Sequence, residues 1–474
     1  MKDLREYIEK VRESGELRVI KGASCHLEIG AISYLAAESD KPPALLFDNI
    51  NGYEPGFRVF TIPCSTDTRA ALMLGLPLQA KGLELVKKLK EKFAEPLKLL
   101  PPVEVSKGPI TENVHIGDEA DLFEFPTPKW QAGDGGRYIG TGDAVIMKDP
   151  DEGWINVGAH RVQIHDKKTG TIFFEPGKHG DIIRKKYWEK GQSCPVAVTC
   201  GSDPFVVFIA GTRIPWGMPE FDYMGWWQKK PVEVIRGPIT GLPIPAHAEI
   251  ALEGEMLPLE VESREEGPFS EWPGTYSPKK PESAFKIRSI LHRNEPILLG
   301  QLPYLGPGVV QGPTYLIRAA KLWEHLDKLV PGVKGVWQFV HFGGPTRCLV
   351  ISIEQKYGGH AKQVAVAALG YDSYNVKFVI VVDDDVDPSN LREVLWAVGN
   401  RADPETFDVV RNSWAGKLDP LISPEKRSAG DFTTSVMVII ACKPYHWIDS
   451  FPPSVIPDPK LREEVKQKWG PALV

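Results

Sequence analysis

Apolar residues change texture three times along the chain. Between residues 3 and 14, Leu4, Ile8 and Val11 recur at helical spacing among charged neighbours, and Ala31–Glu38, Thr66–Leu74 and Leu83–Phe93 also read as helices. Ala44–Phe47 and Arg58–Ile62 read as strands, with Asn49–Gly52 as the turn between them. These elements predict a small α/β unit, followed by a proline-rich linker over Pro96–Val105.

From about residue 106 to 300 short β-rich runs dominate. They are Thr141–Lys148, Gly158–His165, Thr171–Phe174, Val196–Cys200, Val206–Ala210, Glu233–Arg236 and Glu249–Glu253, separated by Gly and Pro. Helices are expected there only at Gly180–Lys190 and Glu220–Gln228. Strands this short and this dense predict a barrel or sandwich. Beyond residue 315, Tyr315–Leu329, Gly358–Leu369 and Leu391–Gly399 read as helices. Val333–His341, Arg347–Ile353 and Val376–Val382 read as strands, which predicts a second α/β unit. A charged helix, Asp458–Trp469, ends the chain.

At 474 residues the chain exceeds one hydrophobic core. Apolar content of 42% and charged content of 25% are those of a globular protein. The net charge of −6 argues against a nucleic-acid partner. No apolar run reaches the roughly 18 residues of a bilayer span, and Met1–Glu6 reads as the start of a charged helix rather than a signal peptide, so a cytoplasmic protein is expected. The six cysteines form no C-x-x-C pair and read as buried thiols.

The candidate chemistry centres on Glu265–Tyr276, which sets Glu266 and Glu271 either side of a Gly-Pro turn among aromatic residues. Carboxylates held against apolar walls have raised pKa values, as a proton donor near neutrality needs. Gly133–Gly142 is glycine-rich without a strand–helix frame and reads as a loop able to approach a ligand. In Trp154–Arg161, strand alternation points Asn156 and His160 one way and Arg161 the other, unless a bulge intervenes. The segment is either a polar strand edge or a site with Asn156 as an oxygen ligand and Arg161 as a carboxylate clamp. His179 and Glu220 are ambiguous alone; with Asn156 they make a mixed N/O set for Mn²⁺ or Mg²⁺. Lys377 borders a buried strand and so calls for an anionic partner. The following Asp383–Asp387 cluster reads as a turn-forming, exposed strand end.

Taken together these segments resemble the UbiD family of (de)carboxylases, which use prenylated FMN. The resemblance rests on Asn156 and Arg161 five apart, on His179 and Glu220 following them, on Leu242–Ile250 with Glu253-Gly254-Glu255, and on Glu266 and Glu271. It implies a multidomain α+β and α/β architecture. Residues 1–105 form an N-terminal α/β domain, 106–312 a split β-barrel flavin-binding domain, 313–450 a C-terminal α/β domain, and 451–474 a tail helix that makes an oligomer contact.

The resemblance also implies a site. Asn156, His179 and Glu220 would hold Mn²⁺ (or Mg²⁺) at the flavin phosphate. Trp154, Glu220 and the backbone of Ala210, Gly211 and Thr212 would border K⁺. Thr141, Lys377 and the stretch 201–215 would seat the cofactor, with Lys377 and the Asp-rich strand end together forming its C-terminal side. Arg161, Glu266 and Glu271 would form the catalytic set, with the flavin as electron sink, Arg161 orienting the carboxylate and Glu271 as proton donor. The expected substrate is an aromatic, heteroaromatic or α,β-unsaturated carboxylic acid, decarboxylated reversibly. A flavin prenyltransferase would supply the cofactor, and a homodimer or homohexamer is expected. Leu305–Gln311 and Gly430–Met437 are candidate pocket walls, and the first lacks the histidine of some phenolic-acid members. Rival readings are an FMN-dependent split-barrel oxidoreductase, which needs no arginine with a carboxylate pair, and a cofactor-carrier or scaffold subunit, which would bind flavin without turnover.

Overall fold

The computed structural model describes residues 1–302, 311–339, 347–453, 455 and 459–472. In the first unit the helix Leu4–Glu13 starts where Asp3 accepts a hydrogen bond from the Glu6 amide, and it buries Leu4, Tyr7, Ile8 and Val11. Thr66 caps Asp67–Leu74 in the same way. These helices pack near a four-stranded sheet in the order Leu17–Lys21, Ala44–Asp48, Arg58–Thr61, Ile297–Leu299. The last strand comes from far down the chain and pairs parallel with Arg58–Thr61, so it lies in the first sheet although its sequence sits inside 106–312. Leu17–Lys21 escaped the sequence pattern because it is an edge strand with little burial beyond Leu17.

The central unit is built on a ten-stranded sheet, with a small sheet of Pro243–Pro245, Glu233–Arg236 and Val103–Glu104 beside it in sequence. The path of the larger sheet runs Arg137–Gly140, Val162–Ile164, Thr169–Ile172, Lys280–His292, Ile250–Met256, Cys194–Cys200, Asp143–Lys148, Ile155–Gly158. The 13-residue strand Lys280–His292 is its spine, pairing with Thr169–Ile172, Ile250–Met256, Ser263–Glu266 and Asn113–Ile116. Two expected strands come out differently. Val206–Ala210 belongs to a helix, Pro204–Ala210, begun by Asp203 accepting from the Phe205 amide at 3.1 Å with Pro204 in the first turn. Every residue of that helix is buried, so it is apolar all round and shows no helical period.

The expected run Gly158–His165 is broken over residues 159–161. There the chain leaves the ladder with Asp143–Lys148 and joins the one with Thr169–Ile172. Ala159 donates its amide to the Ala210 carbonyl, and the Arg161 carbonyl accepts from Phe173. The break frees His160 from strand alternation. It packs on Phe174 at 4.3 Å, and burial pushes its pKa down to about 4.

The C-terminal unit is a five-stranded sheet in the order Val333–Gln338, Cys348–Ile353, Phe378–Asp383, Thr433–Ala441, Asp408–Trp414, with its inner three strands parallel. Its helix Gln311–Leu329 lies against Leu83–Phe93 of the first unit, with Lys90 over the Trp323 ring at 4.6 Å. The Asp-rich strand end is the expected turn, with Asp384, Asp385 and Asp387 exposed, and only its first residue departs from that reading. Asp383 is buried and accepts from Arg401 at 3.0 Å, while Asp385 takes both Arg401 Nη1 at 2.7 Å and Lys443 at 2.8 Å. The tail helix Pro459–Trp469 is exposed, with Leu461, Val465 and Trp469 on one stripe. Cys64, Cys194, Cys200 and Cys442 are buried free thiols, and Cys25 and Cys348 are half-buried.

Candidate active site

Glu266 ends the strand Ser263–Glu266, opposite Lys280. The chain then turns through Gly267, at φ +83°, and a cis Gly267–Pro268 bond into a hairpin of Phe269–Ser270 with Tyr276–Ser277. Glu271 and Trp272 ride on its loop, which is closed by Glu271 N–H to the Thr275 carbonyl at 2.9 Å and Gly274 N–H to the Glu271 carbonyl at 2.9 Å.

The glycine-rich loop proves to be the clamp on this hairpin. Gly135 donates to the Pro268 carbonyl at 2.7 Å, and a Cβ on Gly135 would lie 1.9 Å from the Gly267 carbonyl oxygen. Only a glycine lets the two backbones approach so closely. Asp134 accepts from the Ser270 amide at 2.9 Å, and Gln163 accepts from the Gly267 amide at 3.0 Å. The second half of the glycine-rich stretch, Arg137–Gly140, is a strand rather than loop.

Arg161, freed by the strand break, reaches across to this segment. Its Nε and Nη2 donate to the two oxygens of Glu266 at 2.6 and 2.7 Å, and Nη1 donates to Glu271 Oε1. The guanidinium stands over Phe173 at 4.1 Å and Phe269 at 4.9 Å. Tyr138 Oη lies 3.2 Å from Glu266 Oε1 and 3.1 Å from Gln163 Oε1. Burial works against the Arg161 charge, but Glu266 and Glu271 outweigh it and raise its pKa. Glu271 is also raised. Burial is the main cause, Arg161 opposes it and Glu266 adds to it. The two carboxylates are therefore unequal. Glu266 is fully buried and holds the guanidinium fork, whereas Glu271 touches one Nη and keeps part of its surface open. The arrangement can keep one anion fixed and offer one exchangeable proton.

A second cluster forms around the strand Ile155–Gly158, against which the helices His179–Glu189 and Glu220–Gln228 pack. Each helix presents its first residue. His179 meets Trp154 at 5.8 Å and Trp216 at 5.1 Å, both edge-on, and burial lowers its pKa. Glu220 accepts from the Val157 amide at 2.7 Å, and burial pushes its pKa up to about 8. Asn156, 2% exposed, lies in sequence between Trp154, which touches His179, and Val157, which binds Glu220. No cationic side chain is paired with Glu220 among the described residues. Trp154 Nε1–H is buried without an acceptor. Among the proposed K⁺-lining groups, the Ala210 carbonyl accepts from Ala159, and Thr212 donates its hydroxyl to Phe208 at 2.8 Å. Gly211 caps that helix.

Thr141 accepts from the Gln301 amide at 2.9 Å. Lys377 does find its anion, and it is Asp419, at 2.5 Å. The Asp-rich strand end lies at the other end of Phe378–Asp383, six residues or roughly 20 Å away, so these two do not form one site. Asp419 also takes Arg347 at 2.6 Å, and the Arg347 guanidinium covers Trp272 at 4.9 Å. The C-terminal unit thus touches the hairpin beside Glu271. Of the candidate pocket walls, 305–310 and the side chain of Gln311 lie outside the described residues, and Thr434 of the second wall contacts Lys377. Asp134, Tyr138, Gln163, Arg347 and Asp419 were missed by sequence reasoning. Only Gln163 carried a signal, being two residues from Arg161 and so on its side of the strand.

The family description 3-octaprenyl-4-hydroxybenzoate carboxy-lyase matches the chain in three consecutive parts: an N-terminal domain over 8–89, a Rift-related domain over 102–305 and a C-terminal domain over 314–441. Pyrrole-2-carboxylic acid decarboxylase of Pseudomonas aeruginosa is 32% identical over 85% of this chain and 83% of its own. A phenolic acid decarboxylase of a Streptomyces species is 30% identical over 93% and 92%. Vanillic acid decarboxylase of Sedimentibacter hydroxybenzoicus in its open form has a TM-score of 0.85 at 29% identity, covering 100% of this chain and 99% of that one. The UbiD-class enzyme HmfF of Pelotomaculum thermopropionicum, in complex with FMN, has a TM-score of 0.82 at 27% identity, covering 97% and 98%. The three-part match, in order and over most of the chain, shows that this protein belongs to the UbiD family of carboxy-lyases.

Proposed function

We propose that the protein is a reversible, non-oxidative decarboxylase of an aromatic, heteroaromatic or α,β-unsaturated carboxylic acid, and that Arg161, Glu266 and Glu271 carry the chain's share of the chemistry. The observation that bears most weight is the guanidinium of Arg161 held by two inequivalent carboxylates, Glu266 fully buried and Glu271 partly open. The decarboxylases related to this chain act on pyrrole-2-carboxylic and phenolic acids, which supports the ring-bearing classes.

The cation cluster fits the expected cofactor. A buried carboxylate with no cationic partner among the described residues, Glu220, heads one helix packed on the strand that carries Asn156, and His179 heads the other, a donor set suited to Mn²⁺ or Mg²⁺. Trp154 and the Ala210–Thr212 backbone would border K⁺, and Thr141 with Lys377 would help seat the flavin. HmfF in an evolved dimeric form binds prenylated FMN, which supports the same cofactor here. When bound, prenylated FMN supplies the electron sink that lets CO₂ leave an sp² carbon.

The residues do the rest. Arg161 binds the substrate carboxylate with the donor capacity Glu266 leaves it. Glu266 fixes the plane of the fork so that the carboxylate is presented in one orientation. Phe173 and Phe269 wall the guanidinium and exclude water from it. Glu271 holds the proton that replaces CO₂ on the carbon and is recharged from its open side. In the reverse direction Glu271 takes that proton. A flavin prenyltransferase would provide the cofactor, and the exposed stripe of the tail helix is a surface for a homodimer or homohexamer contact.

Full-length protein produced with a prenylated-FMN supply, Mn²⁺ and K⁺ is expected to exchange labelled CO₂ into at least one acid of a broad panel. Failure to bind any flavin under those conditions would reject the proposal. Flavin-dependent redox activity without CO₂ exchange, unaffected by Glu271→Gln, would favour the plain-FMN oxidoreductase.

A further inference from the structure

Far from Glu271, at the other end of the strand Lys280–His292, three side chains converge that the proposed reaction does not use. His115 lies on Asn113–Ile116, which pairs antiparallel with Lys280–His292 in the register His115 opposite Ile290. His292 is the diagonal neighbour of His115 on the same face, and their rings meet edge-on at 5.2 Å. Glu124 ends the short turn Leu122–Glu124 and points between them. His115 Nδ1 is 3.5 Å from Glu124 Oε2, and His292 Nε2 is 3.6 Å from Glu124 Oε1. One donor atom from each of the three lies within 4.8 Å of the other two.

Hydrogen bonding does not account for this spacing. His292 Nδ1 lies 2.9 Å from the Arg293 carbonyl, which can only accept, so Nδ1 carries the hydrogen. In the neutral ring Nε2 then has a free lone pair, and it is buried, 5% exposed as a residue, with no hydrogen-bond partner among the described residues. It faces a carboxylate oxygen, another acceptor. A true histidine–carboxylate hydrogen bond in this chain, His247 to Glu233, closes to 2.6 Å. Here both contacts stop about 1 Å further out. Ligands of a tetrahedral zinc at about 2.0–2.1 Å stand roughly 3.3 Å apart, close to the gaps that the two oxygens of Glu124 make, one to each histidine. The carbonyl behind His292 is also the outer partner that fixes the tautomer of a metal-binding imidazole.

The geometry points to a Zn²⁺ site formed by His115, Glu124 and His292, separate from the Asn156–His179–Glu220 cluster. Two imidazoles and one carboxylate suit Zn²⁺ better than Mg²⁺ or Ca²⁺, which prefer all-oxygen sets. The half-exposed faces of His115 and Glu124 leave the fourth position to water. The ion would staple a strand, a turn and the end of the sheet's longest strand. It would also abut the first unit, because Phe57 packs on the His292 ring at 6.2 Å.

The test uses full-length, metal-stripped protein saturated with Mn²⁺ and titrated with Zn²⁺ alone, by calorimetry and thermal melting. One Zn²⁺ per chain is expected to bind and raise the melting temperature. His115→Ala, at a half-exposed position, should keep the metal-free melting temperature and weaken Zn²⁺ binding by about 100-fold or more. His179→Ala should leave it intact. If His115→Ala does not fold, Glu124→Gln takes its place. The proposal is overturned if the parent protein binds no Zn²⁺, if His115→Ala or Glu124→Gln binds it as tightly as the parent, or if His179→Ala abolishes it.

Discussion

Arg161 and Glu266 are joined by both hydrogen bonds of a parallel fork, Nε to Oε1 at 2.6 Å and Nη2 to Oε2 at 2.7 Å, with neither side chain open to solvent by more than a few per cent. A pair so buried strongly resists being broken from one side, because the survivor is left charged in an apolar surround. Glu266→Gln is expected to cost about 3–5 kcal/mol of stability and to lower turnover, since the arginine loses its fixed plane. Arg161→Lys should be worse for turnover than for stability, because an ammonium cannot reproduce the fork. Thermal melts and steady-state kinetics on both variants separate these effects.

Glu271→Gln should retain flavin binding and fold but lose net turnover by about 10²–10⁴-fold, the usual share of a positioned proton donor. Flavin absorbance with single-turnover kinetics would check this, and a variant with parental turnover would remove Glu271 from the mechanism.

The raised pKa of Glu271 fixes the sign of the pH dependence. In the proposed mechanism the protonated form is the donor, and it is present below the folded-state value. Decarboxylation should therefore fall as pH rises through that value. Stability runs in the same direction. The contribution from protonated Glu271 is complete below the ordinary carboxylate range and is lost as pH rises through the folded value. Glu271→Gln should flatten that part of the stability profile, read as melting temperature against pH.

Gly135→Ala should damage the site without touching a catalytic group. The added carbon would meet the Gly267 carbonyl at 1.9 Å, and backbone must move to admit it. We expect a loss of about 1–3 kcal/mol in stability and a fall in turnover larger than in Gly399→Ala, where an added Cβ meets nothing within 4 Å.

Asp419→Asn should weaken flavin affinity more than it slows turnover of the loaded enzyme. Asp419 is the shared anion of Lys377 and Arg347, and Arg347 covers Trp272. Fluorescence titration of FMN against parent and variant tests this.

What the sequence disclosed depended on whether the relevant contacts were local. Glu266 and Glu271 were legible because five residues and a Gly-Pro turn hold them together. The helix Glu220–Gln228 and the strand Glu233–Arg236 were read to the residue. Pro204–Ala210 was misread because a helix buried on all sides has no polar face to set its period. The break at 159–161 could not be read, since it is fixed by the Ala210 and Phe173 backbones rather than by its own residues. Lys280–His292 was missed because its buried positions do not alternate. Asp134 and Tyr138 looked like ordinary positions of one glycine-rich loop. Their partners lie more than a hundred residues away and meet them only through sheet pairing.

The strand Lys280–His292 behaves as a gauge of fixed length. Glu266 is set opposite its first residue and His292 is its last, so thirteen residues determine how far the hairpin carrying Glu271 stands from the histidine cluster. Loops on the surface can gain or lose residues without disturbing either end. A deletion within this strand cannot be absorbed in that way, since removing a single residue turns every later side chain to the opposite face. Gly254 presses against the Lys286 carbonyl, where an added Cβ would sit 1.8 Å away, so the neighbouring strand is tied to that same register. Insertions and deletions scanned along the gene should therefore be tolerated at the exposed residues 97–99 and excluded from 280–292, a pattern set by geometry alone.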